Sequence, residues 1–473
     1  FEVNGRYDGS SKFPNNSQWG FFPSASAAWR LSEERFWKVD PKFLSNVKLR
    51  MSYGALGNSN VNPYSYLEKF SLSTFSTTGT STDGRYLDGS AKLRYTKNPS
   101  QIPDNIGWET SKTVDVGIDL GFLHNKITLS ADYYVRKTID MYTVGPTLPD
   151  TFGASSPKGN YADMSTYGYE ISLGYNDSFK LADRPLSFGV KVTLADYYSV
   201  IDKYNNPTRD LDDYYVGQRI GEIWGYVCNG LFQSQDAIDT AFNGKGYKND
   251  IMQTSVNYIT HPGDMRFEDL NGTNSIDKGA NTVDSPGDRQ IIGNEEPRYI
   301  YTFSFSADWN NFFLSAMFDG VGKQDWYPSG ESSFWGQYNR PYNQVPTWHL
   351  NNYWTEDNPN AYLPRYSGYY NPLYKGTANT RYLQDVSYIR LKNFQFGYNL
   401  PKKWIAKAGL SHVSVYFSGE NLWSWSPLYR YTKDYDVTVV TKGSDSDITS
   451  GNKGDGFNYP TMRNFSFGIS ITY

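Results

Sequence analysis

Asn464-Phe-Ser-Phe-Gly-Ile-Ser-Ile-Thr-Tyr473, the last ten residues of the chain, is the stretch that decides the fold. Its apolar residues alternate strictly with Gly468 and small polar residues, which predicts a β-strand with one apolar face. The strand stops on an aromatic residue. This ending suits the closing strand of a membrane β-barrel, which an assembly machine captures by adding a strand to its edge. The alternative is an ordinary edge strand at the end of a soluble domain.

The same alternation recurs upstream and predicts about twelve strands. Many of these segments run about 10–14 residues, longer than the ~5–6 typical of globular strands and close to the length that crosses a bilayer at a tilt. In 388–400 the alternation changes phase near Lys392 to Phe394, which predicts a β-bulge. The predicted strands lie near 1–9, 20–32, 44–54, 110–122, 126–140, 164–176, 186–200, 298–308, 311–322, 385–400, 410–421 and 461–473.

The composition favours the membrane over a soluble domain. Aromatic residues make up 17% of the 473 residues, including 41 Tyr and 13 Trp, yet the mean hydropathy is −0.63. That combination is typical of a barrel whose strands have one watery face and whose ends carry aromatic girdles. No run approaches the ~18 apolar residues of a spanning helix, so contact with lipid requires a closed barrel. The net charge of −4 makes nucleic acid an unsuitable partner.

The connections between the predicted strands alternate in length. The short ones are 33–43, 123–125, 177–185, the two residues between Trp309 and Phe312, and 401–409, whereas the long ones are 55–109, 141–163, 201–297, 323–384 and 422–460. A membrane barrel has short periplasmic turns on one rim and long extracellular loops on the other. A soluble sandwich gives no reason for this one-sidedness. The sequence therefore predicts an all-β, transmembrane antiparallel β-barrel in the outer membrane.

The chain opens within a predicted strand. Phe1-Glu-Val-Asn-Gly-Arg-Tyr-Asp8 already alternates, and no signal peptide precedes it. We therefore expect residues 1–473 to be the C-terminal part of a larger barrel.

A series of motifs runs along the whole chain. The motifs are Arg6-Tyr-Asp-Gly-Ser-Ser-Lys-Phe13, Trp19-Gly-Phe-Phe-Pro-Ser-Ala-Ser-Ala-Ala-Trp-Arg30, Lys48-Leu-Arg-Met-Ser-Tyr-Gly-Ala-Leu-Gly-Asn58, Trp108-Glu-Thr-Ser-Lys112, Pro262-Gly-Asp-Met-Arg-Phe-Glu-Asp-Leu-Asn-Gly272, Ile291-Ile-Gly-Asn294, Ser387-Tyr-Ile-Arg-Leu-Lys-Asn393, Ser418-Gly-Glu-Asn-Leu422 and Asn464-Phe-Ser-Phe-Gly468. In this order they resemble the SusC/RagA family of TonB-dependent outer-membrane transporters. Several ordered motifs together make the resemblance more specific than any single motif.

The resemblance implies a barrel of about 22 strands, plugged by an N-terminal domain. It also implies import of oligosaccharides or oligopeptides, energised through TonB, with a SusD-like surface lipoprotein above the extracellular loops. About twelve strands are visible, so we expect the plug, the TonB contact and the other strands to lie outside this chain. The alternatives are a TonB-dependent siderophore or cobalamin receptor, a passive porin, and a non-transport adhesin or soluble carbohydrate-binding protein.

No catalytic motif is present: the sequence has no GxSxG, no HExxH and no phosphate-binding glycine loop, so we expect neither an enzyme nor a cofactor. The loop 323–384 is dense in aromatic residues, which suit sugar faces and protein interfaces. Within it we predict Trp335, Tyr338, Tyr369 and Tyr370 as substrate-binding residues. The alternative is that these rings pack within an ordered loop or form the outer aromatic girdle.

Charged residues at inward-facing strand positions are expected to line a polar lumen or to contact the absent plug. They are Lys126, Asp132, Arg136, Glu170 and Lys191.

The stretch Asp269 to Asp277 resembles the first half of an EF-hand calcium loop, with oxygen-bearing residues at positions 1, 3 and 5. Asn274 stands where that loop needs glycine, and Ala280 stands where it needs glutamate. We therefore predict a structured turn and assign no metal site. The alternative is a turn that binds calcium.

Overall fold

Twelve strands form one antiparallel sheet in chain order. The computed structural model describes residues 1–74, 94–97, 101–102, 106–145, 156–251, 259–328, 332–338, 344–366, 377–440 and 458–473. Within them, the all-β class and the twelve predicted strands are confirmed. The strands are β1 Glu2–Gly9, β2 Trp19–Arg30, β3 Leu44–Asn58, β4 Glu109–Phe122, β5 Ile127–Val144, β6 Lys158–Leu181, β7 Arg184–Lys203, β8 Arg298–Trp309, β9 Phe312–Lys323, β10 Tyr388–Asn399, β11 His412–Trp425 and β12 Asn464–Thr472.

The predicted bulge in β10 is confirmed at Lys392. On the β9 side, Met317 pairs with Asn393 while Phe318 pairs with Leu391, so Lys392 is left over. The register to β11 shifts at the same place. The extra residue keeps the apolar side chains before and after it on one face, because it resets the period-2 pattern.

Strands β6 and β7 are longer than predicted. The expected connection 177–185 shrinks to Ala182 and Asp183, because Asp177–Leu181 continue to pair with Arg184–Phe188. Asp177 takes an outer-face position where the pattern requires an apolar residue, so the predicted strand ended before Phe179 and Leu181 resume the alternation. Ala182 and Asp183 have φ of 50° and 59°, which matches the tight two-residue turn favoured by right-twisted strands.

The connections fall on two rims of the sheet, because consecutive antiparallel strands turn at alternate ends. The short-turn rim carries residues 31–43, 123–126, 182–183, 310–311 and 400–411. The long-loop rim carries residues 10–18, 59–108, 145–157, 204–297, 324–387 and 426–463.

The connections contain short elements of their own. Four pairs of short strands are Ser71–Thr74 with Arg94–Lys97, Glu222–Tyr226 with Arg289–Asn294, Cys228–Leu231 with Met265–Phe267, and Asp325–Trp326 with Gln384–Asp385. The short helices are Leu31–Glu33, Gln235–Asp239, Ala241–Gly244, Ser333–Tyr338, Thr347–His349, Lys402–Ile405, Ala406–Ala408 and Pro427–Arg430. None of the helices in the described ranges has the length and apolar character needed to cross a bilayer.

The two faces of the sheet differ in chemistry. We call the face with the apolar alternate residues the outer face and the opposite one the inner face. Met51, Val116 and Tyr133 lie side by side on the outer face of β3, β4 and β5, and they are 57%, 51% and 53% exposed. A water-soluble sheet buries its apolar face, so this exposed face fits lipid as its surroundings.

Aromatic side chains mark both ends of the outer face. Trp19 and Trp29 are exposed at opposite ends of β2, and Tyr299 and Trp309 stand at opposite ends of β8. Ten residues at about 3.3 Å each, on a strand tilted by about 40°, rise about 25 Å. That height equals the apolar band of a membrane barrel between its two aromatic girdles.

Candidate functional site

The inner face carries a network of charges that spans three strands. On β3, Arg50 donates from Nε and Nη2 to both carboxylate oxygens of Asp119 on β4, at 2.8 and 2.9 Å. Its Nη1 lies 2.8 Å from the carboxylate of Asp132 on β5. Gly117 lies between Arg50 and Asp132 in the same row, and a Cβ there would stand 2.1 Å from Asp132 Oδ1. The missing side chain of Gly117 thus leaves room for Arg50 to bridge β3 and β5.

Other inner-face charges are also compensated. Arg390 on β10 donates to both oxygens of Asp319 on β9 at 3.0 and 2.8 Å. Its Nη1 donates to Thr438 Oγ1 at 3.3 Å, which connects the wall to the loop 426–463. The inner wall is therefore polar, with several of its charges paired, a surface that water and polar solutes can pass.

The register places four of the five predicted inward-facing residues on the inner face. The fifth, Lys126, lies in the turn before β5, 2.6 Å from Asp177, whose register partner Phe188 is on the outer face. Asp132 and Glu170 are direct cross-strand partners, as are Lys191 and Ser304. Arg136 pairs with Thr113 on the same face.

Three long loops share one aromatic core, which we call the loop core. Trp326 of the loop 324–387 packs 5.5 Å, between ring centroids, from Tyr435 of the loop 426–463. The backbone N–H of Tyr226, in the loop 204–297, donates to the carbonyl oxygen of Ala378, in the loop 324–387, at 2.9 Å. Because all three loops contribute buried residues, they pack together into one structure on the long-loop rim. Its fully buried large side chains include Tyr226, Phe267, Ile276, Phe334, Trp335, Leu363 and Tyr382.

Of the predicted substrate-binding residues, the structure describes the side chain of Trp335. It is fully buried, its Nε1 donates to Pro328 O at 3.2 Å, and its ring packs edge-on against Phe334 and Tyr382. This position gives Trp335 no surface that a substrate could touch without a rearrangement of the loop. Tyr369 and Tyr370 lie outside the described residues, as does the side chain of Tyr338. The assignment of all four stays a prediction.

His349 is buried in the same core and held in its neutral form. Its Nδ1 and the Tyr366 hydroxyl are 2.8 Å apart, and its Nε2 lies 2.9 Å from Phe334 O. A carbonyl only accepts, so Nε2 carries the proton and Nδ1 accepts from the hydroxyl. Burial lowers the pKa of His349 from its ordinary value to about 4. The loop core is therefore built around an uncharged imidazole.

The segment with a calcium-like spacing forms a turn held by hydrogen bonds. Asp269 accepts from the N–H groups of Gly272 and Thr273 at 2.7 and 3.1 Å. Asp288, which is fully buried, accepts from three backbone N–H groups, those of Leu270, Asn271 and Asp277. These bonds account for the turn without an ion. Across the described ranges, no group of three or more His, Cys, Asp or Glu residues is placed to hold a metal.

The sequence did not single out Arg50 of the inner wall or His349 of the loop core. Arg50 was one charge among many at inward positions, and only the cross-strand register shows which carboxylates it meets. His349 carried no motif, because its partners are a carbonyl and a hydroxyl from distant positions.

Comparison with known proteins identifies the fold. The family described as TonB dependent receptor-like, beta-barrel matches residues 1–285. TonB-dependent receptor P3 of Formosa agariphila is 29% identical over 100% of this chain and 44% of its own length. TonB-dependent receptor SusC of Bacteroides thetaiotaomicron is 25% identical over 99% of this chain and 41% of its own length. The chain thus spans less than half the length of these relatives.

A solved structure shows the same architecture. The structure of the RagAB peptide transporter superposes with a TM-score of 0.70 and 19% sequence identity, covering 100% of this chain and 45% of that one. The outer apolar face, the polar inner wall and the one-sided long loops match an outer-membrane barrel. Since the family match covers more than half of the chain, this chain belongs to the TonB-dependent receptor β-barrel family of outer-membrane proteins.

Proposed function

We propose that this chain forms the C-terminal part of an active importer of oligosaccharides or oligopeptides. In this proposal TonB supplies the energy, and a SusD-like surface lipoprotein covers the long-loop rim, which faces the cell exterior. The short-turn rim then faces the periplasm. The plug and the TonB contact belong to the part of the protein outside residues 1–473.

The observation that carries this proposal is the loop core. A receptor for one small chelate needs a pocket, whereas a rim that meets a lid protein and long substrates benefits from a broad, ordered surface. In this structure the loops 204–297, 324–387 and 426–463 share buried aromatic residues and polar links such as Arg365 to Asp264 at 2.8 Å. The relationship to SusC supports the same class of transport.

Uptake by whole cells tests the proposal. Cells that carry the full-length protein and its SusD-like lipoprotein partner are given labelled mixtures of oligosaccharides and of oligopeptides. The experiment is done in cells with and without TonB. We expect uptake of one mixture, lost when TonB is deleted and reduced when the lipoprotein is deleted. Uptake that persists without TonB would indicate a passive porin. Uptake of iron chelates or cobalamin in place of both mixtures would indicate a different receptor class.

A further inference from the structure

Arg219 projects from the outer face at the long-loop rim. Its segment pairs with the end of β7, where Ile220 N donates to Ser199 O at 3.0 Å. Arg219 and Val200 are antiparallel bridge partners, so their side chains share a face. Val200 follows Val192 by eight residues in a stretch of unbroken register, and Val192 is an exposed outer-face residue. The Arg219 side chain therefore lies on the outer face.

Arg219 and its neighbour Arg298 differ in their ion pairing. The guanidinium carbon of Arg219 lies 4.6 Å from the centroid of the Tyr198 ring, a cation–π arrangement. Arg298, beside the same ring, donates two bonds of 2.6 Å to Asp196. No ion pair between the exposed Arg219 guanidinium and a carboxylate occurs in the part of the chain that the structure describes. In the described residues, one positive charge thus lies against an aromatic ring without an ion-pair partner.

A cavity of about 520 Å³ lies beside this ring, with Tyr299 and Lys323 also in its lining. Two carboxylates, those of Glu222 and Glu296, line it as well. Glu222 accepts from the Tyr215 hydroxyl at 2.6 Å and from Arg219 N at 3.1 Å. Glu296 lies in the lining together with Tyr197, whose place in the register is on the inner face. The Arg219 guanidinium lies on the outer side of the sheet.

The height of this site matches the level of lipid headgroups. Leu186 pairs with Trp309 at the short-turn end of the outer face, and Asp196 stands ten residues further along β7. Ten residues on a tilted strand rise about 25 Å, the thickness of the apolar band. Below the site, Val192 and Phe303 continue as exposed apolar surface that suits acyl chains.

We propose that Arg219 and the Tyr198 ring bind the anionic phosphate headgroup of a membrane lipid at the long-loop rim. The planar guanidinium matches the oxygens of a phosphate, and the ring fixes its orientation. Basic residues at this level are attracted to anionic lipid surfaces. The acyl chains of the bound lipid then lie along β7 and β8.

Native mass spectrometry of the detergent-purified full-length protein tests this site. The probes are phosphatidylglycerol, a diacylglycerol with the same acyl chains, and inorganic phosphate. We expect Arg219→Gln to weaken phosphatidylglycerol binding about fivefold, because one basic residue at the membrane surface has an effect of that size. Arg6→Gln is the matched control, since Arg6 is exposed on the inner face of β1 and pairs with Asp8 at 2.7 Å.

A second measurement does not depend on any variant. Phosphatidylglycerol binding to the unmodified protein should weaken as salt rises, whereas diacylglycerol binding should not. The proposal is overturned if Arg219→Gln binds phosphatidylglycerol as tightly as the unmodified protein, or if diacylglycerol binds equally well. It is also overturned if inorganic phosphate competes at the same concentration as the lipid, since the site would then hold a free anion.

Discussion

Arg50 and Asp132 form an ion pair of 2.8 Å although a whole strand separates β3 from β5. The pair exists because Gly117, on the strand between them, has no side chain to block the guanidinium. A Cβ at Gly117 would lie 2.9 Å from Arg50 Cζ and 2.1 Å from Asp132 Oδ1. The inner wall is thus stabilised across three strands by one arginine and one absent side chain.

Gly117→Ala should break this pair and leave Asp132 without its cation. We expect the barrel to lose about 1–3 kcal/mol of stability, the cost of overpacking together with a lost charge pair. Unfolding in urea measures this loss of stability, with the folded fraction monitored by the heat-dependent shift of the barrel on a gel. Gly54→Ala is the matched control, because it lies on the inner face of β3 and its Cβ would meet only Ser24 Cβ at 3.9 Å. Equal destabilisation by both changes would contradict the role of Gly117.

Trp335→Ala should open the loop core while the barrel stays folded. Removing a buried tryptophan typically costs about 3–5 kcal/mol. We therefore expect protease cleavage in the loops 204–297, 324–387 and 426–463 under conditions where the unmodified protein resists. Trp404→Ala, at an exposed position on the short-turn rim, should leave the cleavage pattern unchanged. If Trp335→Ala weakens substrate binding but leaves the loops resistant, Trp335 is a substrate contact and its assignment to the core is wrong.

The loop core should loosen in acid because of His349. Its pKa is about 4 in the folded loops and ordinarily 6.5, so only the unfolded loops take up a proton between those values. Stability is then full above pH 6.5, falls as the pH drops toward 4, and is constant below that. The loss reaches about 3 kcal/mol. Hydrogen exchange of the backbone amides in residues 344–366 measures this loss of stability.

His349→Gln provides the control for this acid sensitivity, since glutamine can still donate to Phe334 O and does not titrate. We expect the variant to show a flat pH dependence between pH 6.5 and 4. A dependence as steep as that of the unmodified protein would mean that another group is responsible.

Asp288→Ala should unfold the turn 269–277. Three backbone N–H groups lose their acceptor, each at a cost of about 1–3 kcal/mol when it stays buried. We expect fast amide exchange in 265–290 that added Ca²⁺ does not reverse. Asp284→Ala, an exposed change in the same loop, should have no effect. Loss of protection in the unmodified protein on addition of a calcium chelator would show that an ion holds the turn.

Period-2 alternation was enough to predict the strands of the sheet. A strand with lipid on one face and water on the other has apolar and polar residues at alternate positions. The phase change at Lys392 even located the bulge. The pattern missed Asp177–Leu181, because the polar Asp177 at an outer-face position interrupts the alternation that Phe179 and Leu181 resume. It could not separate a buried ring from a binding ring in the loop 323–384, because composition is the same for both. Only the packing shows that Trp335 faces Phe334 and Tyr382.

The claim on which the rest depends is that the outer face of the sheet meets lipid and the inner face meets water. Spin labels at 190, 191 and 192 of β7 test it directly in the full-length protein in bilayers, after Cys228→Ser removes the one thiol of residues 1–473. We predict that labels replacing Val190 and Val192 collide mainly with oxygen dissolved in lipid. A label replacing Lys191 should collide mainly with a water-soluble relaxing agent. Equal access of the water-soluble agent to all three positions would contradict the account.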